Sequence, residues 1–163
     1  MLIPKIGVTG HRPSGFSNQE YVKNLIPQIV DWCSENHPNA EFNLGGCVGA
    51  DMWVAQACVE KKLPFNLHLP FPVEIQSKFW SLPADRDMLA SHALLAHTVS
   101  IVGDSYKVQN YHIRDRQIVD NSDFIICFWE GRRSGGTYNT IRYALKSGKR
   151  VLNAMSKLEE VNL

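Results

Sequence analysis

The sequence predicts an α/β protein: a doubly wound domain on a mostly parallel sheet of about six strands, with helices on both faces. Three observations carry that expectation. Short apolar runs alternate with longer segments of helical periodicity, the pattern of parallel strands joined by crossover helices. Residues 123–129 (DFIICFW) are apolar with little alternation, as a strand covered on both faces requires. Three glycine-bearing loops each follow a strand and lead into a helix, the arrangement found at the carboxyl ends of such sheets.

The first strand is expected at 3–9 and stops at Gly10-His11-Arg12-Pro13-Ser14-Gly15, too rich in Gly and Pro to continue extended. Ser17 and Glu20 have the spacing of a capping box that opens a helix. Val22, Leu25, Ile26, Ile29, Val30 and Cys33 form its apolar stripe, and Pro27 inside it predicts a kink or a break. A second strand at 41–44 runs into Gly45-Gly46-Cys47-Val48-Gly49-Ala50-Asp51, and 52–59 is apolar nearly all round, hence a buried helix. A third strand at 65–69 is stopped by Pro70-Phe71-Pro72. Residues 73–97 read as two helical pieces separated at Leu82-Pro83, with Asp85, Arg86 and Asp87 opening the second.

A fourth strand is expected at 98–102, then a helix at 110–121 in which Arg116 and Asp120 are spaced for an i,i+4 pair. The 123–129 strand should lie centrally. A loop at 130–136, a helix at 137–147 stopped by Gly148, and a last strand at 150–154 complete the reading. With no repeat, low-complexity tract or linker, residues 1–163 are expected to form a single domain. That length buries roughly two thirds of the unfolded surface.

Composition removes several classes of function. Lys and Arg total 17 against 16 Asp and Glu, so there is no whole-surface attraction for a nucleic acid or an anionic membrane. No apolar stretch is long enough to span a bilayer and the first residues do not form a signal peptide. Four cysteines without a CxxC pair suit reduced thiols and a cytoplasmic location. The six histidines have no metal-binding spacing and there is no GxSxG elbow, so no metal and no cofactor is expected. Neither GxGxxG nor GxxxxGK[ST] occurs in the position a dinucleotide or P-loop site needs.

The chemistry is expected at the three loops. Glycines let backbone N–H groups approach an anion, and a helix start behind them favours negative charge. Ser134, Gly135, Gly136 and Thr137 are the strongest candidates for phosphate binding, with Arg132 and Arg133 just ahead. Gly10, His11, Arg12, Gly45, Gly46, Gly49 and Asp51 are the others, and Arg114 on the preceding helix is expected to face the same crevice. Asp51 could cap its helix, accept from a ribose hydroxyl or move a proton at an anomeric centre. Trp80 and Tyr106 are candidate base-stacking platforms.

Taken in order, Ile6-Gly7-Val8-Thr9-Gly10-His11-Arg12-Pro13, Gly45-Gly46-x-x-Gly49-x-Asp51, Arg114-Asp115-Arg116-Gln117-Ile118-Val119-Asp120-Asn121-Ser122-Asp123 and Gly135-Gly136-Thr137 resemble the YpsA-like group of the SLOG superfamily. The resemblance implies a Rossmann-like domain related to DprA and the LOG phosphoribohydrolases, a nucleotide-type ligand in the crevice, and a tendency to form homo-oligomers. LOG enzymes use PGGxGTxxE; here Thr140 stands at the glutamate position and cannot act as a carboxylate. Two functions follow. One is binding, by sensing or sequestering, of a nucleotide or an ADP-ribose relative. The other is cleavage of a nucleotide N-glycosidic bond, with Asp51 or Glu130 as the catalytic carboxylate.

Overall fold

The computed structural model describes residues 2–163. Its single sheet has the order β4-β3-β2-β1-β5-β6-β7. The strands are β1 (Lys5–Gly10), β2 (Glu41–Leu44), β3 (Phe65–Leu69), β4 (Thr98–Ile101), β5 (Phe124–Phe128), β6 (Arg150–Asn153) and β7 (Glu159–Glu160). All neighbouring pairs are parallel except β6 with β7. The helices are α1 (Gln19–Asn36), α2 (Ala50–Lys61), α3 (Val73–Gln76), α4 (Pro83–Leu95), α5 (Gln109–Asp120) and α6 (Gly135–Lys146). The chain thus adds strands outward from β1 in one direction, then crosses to β5 and proceeds in the other. That reversal places the topological switch point between the carboxyl ends of β1 and β5.

Each sheet face has its own core. Ile6, Val8, Phe42, Leu44, Phe65, Leu67, Ile126 and Phe128 pack with the apolar stripe of α1 and with α2. On the opposite face Ile125, Cys127 and Val151 meet Val119 of α5 and Ile141 and Ala144 of α6. β5 lies inside the sheet and is buried throughout, as its unbroken apolar run predicts. Gly7 admits the close packing of α5 and β5: a Cβ there would stand 2.6 Å from Ile125 Cδ1 of β5 and 3.1 Å from Ile118 Cγ2 of α5.

Several expectations change on contact with the tertiary structure. The sheet has seven strands, because β7 adds an antiparallel pair that two consecutive glutamates gave no reason to expect. α1 is capped by Asn18, whose side chain accepts from Tyr21 N at 3.0 Å. Ser17 is instead bound to Glu130. Pro27 sits inside α1 without interrupting its span. The Arg116–Asp120 pair does not form, since Tyr143 of α6 takes both partners: its hydroxyl donates to Asp120 at 2.8 Å and Arg116 lies over its ring.

Gly49 is required by its backbone. Its φ is +106°, and a Cβ would come within 2.5 Å of the His11 carbonyl oxygen. Gly49→Ala is therefore expected to cost at least about 1–3 kcal/mol, read as a lower midpoint in urea denaturation. An unchanged midpoint would mean that the β1–α2 junction is looser than described.

Candidate functional site

A cleft of about 570 Å³ opens at the switch point, within the range of small-molecule sites. Its walls come from the end of β1 and the loop after it, the first turn of α2, one side of α5, and the start of α6. Of the residues singled out from sequence, Gly10, His11, Arg12, Asp51, Arg114, Ser134, Gly135, Gly136 and Thr137 all line it. Tyr106, His112 and Arg132 line it too, as do Tyr111, Asp115 and Thr140, which sequence reasoning did not pick out as site residues. Tyr111 was legible in principle, because it stands three residues before Arg114 on the same helix face.

Of the three loops, the one before α6 is open to a ligand. Ser134 is extended at the N-cap and its side chain makes no capping bond. The first-turn N–H groups of a helix have no intrahelical partner and carry the positive end of its dipole. A Cβ built on Gly135 or Gly136 would meet nothing within 4 Å, so this helix start faces free space. Thr140 turns its hydroxyl back to the Gly136 carbonyl at 2.9 Å.

The start of α2 is different, because the protein fills it. Ala50 N donates to the His11 carbonyl at 3.3 Å and Met52 N to Cys47 O at 3.2 Å. Gly45, Gly46 and Gly49 are not on the cleft wall. A Cβ on Gly45 would strike Arg114 and Asp51 at 2.8 and 2.9 Å, and one on Gly46, whose φ is +72°, would strike Leu69 at 2.7 Å. The structure gives these three glycines packing roles, holding the shape of the cleft.

Arg114 is 4% exposed and nearly saturated. Its Nε donates to Asp115 at 2.7 Å, Nη1 to the carbonyls of Gly45 and His68, and Nη2 to Cys47 Sγ at 3.5 Å. Of its five N–H groups, that leaves one for a ligand. The wall's exposed guanidiniums are accordingly those of Arg12 and Arg132 at the rim, while Arg133 is exposed and off the wall. Glu130 is also off the wall, held by Ser17 N and Oγ at 3.1 and 3.0 Å in a neighbouring hollow. Trp80 packs against the first core. Tyr106 is 58% exposed and leans on Phe71 and Tyr111 at the cleft mouth.

The electrostatics favour an anion. Three guanidiniums face two carboxylates on the wall. Burial lowers the His11 pKa, the Arg132 charge lowers it further and Glu130 partly opposes them. Burial raises the Cys47 thiol more than the guanidinium of Arg114 lowers it. Burial works against the charge of Arg114, but Cys47, Asp115 and Asp51 outweigh it and the net shift is upward.

Burial pushes Asp51 up to about 6, against the pull of Arg114. Among the described residues its carboxylate accepts only a long bond from Cys47 N, 3.4 Å. A carboxyl whose folded value exceeds its ordinary 3.8 stabilises the fold fully below pH 3.8 and loses that contribution as pH rises through about 6. Asp51→Asn is therefore expected to flatten the pH dependence of urea stability across that window. Parallel curves for the two proteins would show that Asp51 is solvated.

No family model matches the chain, and no curated protein matches it. Solved structures do. DNA processing protein A (DprA) from Streptococcus pneumoniae superposes with a TM-score of 0.70 at 15% identity over 93% of this chain and 50% of its own. DprA from Helicobacter pylori, described for its single-stranded DNA binding mode, gives 0.69 at 16% over 93% and 65%. A structural-genomics target, TM1055, gives 0.60 at 17% over 91% and 72%. The chain spans between half and two thirds of the DprA chains it matches. The domain is thus Rossmann-like, with the fold found in DprA.

Proposed function

We propose that the cleft binds the phosphate of a nucleotide or nucleotide-derived signal of the ADP-ribose type, and that the domain senses or sequesters that ligand as a YpsA-like member of the SLOG superfamily. The observation that carries the reading is the uncapped start of α6 beneath two glycines with empty space above them. A phosphate there accepts from backbone N–H groups and meets the helix dipole. Arg12 and Arg132 supply charge-assisted bonds from the rim, and Tyr106 offers a face on which a base stacks. Four free cysteines fit a reducing compartment, and among the described residues no helix is long and apolar enough to cross a membrane; we take the setting to be the cytoplasm.

Calorimetric titration with AMP, ADP-ribose and cyclic nucleotides tests the reading. Heat of binding from at least one, weakened by Arg12→Ala, is expected, and silence from all of them would remove the proposal. A short single-stranded oligodeoxynucleotide belongs in the same panel, since the DprA of H. pylori has a single-stranded DNA binding mode. The net charge of +1 favours the small ligand here.

One observation favours catalysis as a second reading. Asp51, with a pKa of about 6 on the cleft wall, is placed for proton transfer near neutral pH, whereas Glu130 is tied to Ser17 outside it. Release of free base from nucleoside monophosphates, lost in Asp51→Asn with AMP affinity retained, would establish hydrolysis. Absence of free base leaves binding as the activity.

A further inference from the structure

The sheet face that carries α5 and α6 changes character halfway across. Over β5 and β6 it is apolar. Over β1 to β4 the face turns polar, and Lys5, Glu41, Asn43, Asn66, His68, Thr98 and Ser100 line a cleft of about 470 Å³ to which His97 just before β4, Gln117 of α5 and Asn121 just after it also contribute. The other face of the same strands holds ordinary core residues such as Phe42 and Leu67. Glu41, Asn43, Asn66 and His68 are each at least nine-tenths buried, an expensive arrangement for groups that only need solvation.

A hydrogen-bond network fixes the polarity of this cleft. Asn43 Nδ2 donates to Asn121 O and to Ser122 Oγ, so its Oδ1 must be the atom facing Asn66 Nδ2 at 3.1 Å and His68 Nε2 at 3.3 Å. His68 Nε2 therefore donates, and in the neutral ring Nδ1 is a bare acceptor. That atom is buried and has no partner. Asn66 Nδ2 also donates to Glu41 Oε1 at 2.9 Å, while Thr98 Oγ1 donates to Asn66 Oδ1 at 2.7 Å. Among the described residues no cation lies within 4.0 Å of the Glu41 carboxylate and no carboxylate lies that close to Lys5 Nζ. One cleft thus presents an unpaired anion and an unpaired cation at register-paired positions of adjacent strands, over a buried acceptor without a partner.

We propose that this cleft is a second ligand site, distinct from the one at α6, and that it takes a small amino-acid-like zwitterion. The ammonium group donates to Glu41, and the carboxylate faces Lys5. Such a guest supplies both charged groups with a complement, which neither a simple amine nor a simple acid does.

Calorimetric titration of the full chain with each proteinogenic amino acid tests this, followed by the amide and N-acetyl derivatives of any that binds. At least one free amino acid is expected to bind, with affinity falling about tenfold or more in Glu41→Gln and in Lys5→Met, the loss of one charge-assisted bond. The amide should bind weakly and be indifferent to Lys5→Met. The AMP titration should be the same in Lys5→Met as in wild type, which separates this site from the α6 cleft. Should Glu41→Gln fail to fold by circular dichroism, the partly exposed Lys5 variant decides alone. Silence from every amino acid, or binding that survives Lys5→Met, or an amide that binds as well as its parent overturns the proposal.

Discussion

Gly136→Val is expected to abolish measurable binding of AMP while leaving the urea midpoint close to wild type. The position has no left-handed backbone requirement, and a Cβ there meets no atom within 4 Å, so the fold has no steric reason to object. The valine side chain would occupy the space that a phosphate needs against the first turn of α6. Charge-assisted hydrogen bonds contribute about 1.5–3 kcal/mol each, so losing even one weakens binding at least tenfold. Gly135 makes the contrast: at φ +89° it is strained by any side chain, and Gly135→Val should lose stability as well. Retained AMP affinity in Gly136→Val would place the anion elsewhere.

Arg114→Ala is expected to be the most destabilising substitution in the cleft, by about 3–5 kcal/mol, the usual cost of removing one partner from a buried ionic cluster. Sequence reasoning assigns Arg114 to the ligand, and it does reach the cleft. The structure adds that it ties α5 to the loop after β2 through Gly45, to β3 through His68 and to Asp115. Its removal leaves those acceptors unpaired in a site where Asp51 is already under strain from desolvation. Arg114→Lys should rescue little, since one ammonium cannot reproduce a fork that spans four partners. Chemical denaturation measures this directly. A loss under about 1 kcal/mol, the size typical of a solvent-exposed pair, would mean that the cluster is hydrated.

How much of this could be read from sequence depends on how local each cause is. β2 and β3 fall where the chain is fenced by Gly45-Gly46 and by Pro64 and Pro70, which act within their own segments. Asn18 displaces Ser17 as the cap of α1 because Glu130, 113 residues away, claims the serine. The glycines are the sharpest case. Gly45, Gly46 and Gly49 look like Gly135 and Gly136 in sequence, yet the first three are pressed against Arg114, Leu69 and His11 and the last two face open space. Only the packing of α2 and α5 around β1 separates the two groups. The polar sheet face had no signature at all, since Asn43, Asn66 and His68 alternate with core residues as any half-exposed strand would.

The central claim is that the start of α6 receives a phosphate. A crystal structure of the protein with AMP tests it most directly: phosphate oxygens should lie within hydrogen-bond distance of the Gly136 and Thr137 amides, with the Arg12 or Arg132 guanidinium closing over them. A phosphate bound away from that helix start, or a cleft that stays empty when AMP is saturating in solution, would contradict it.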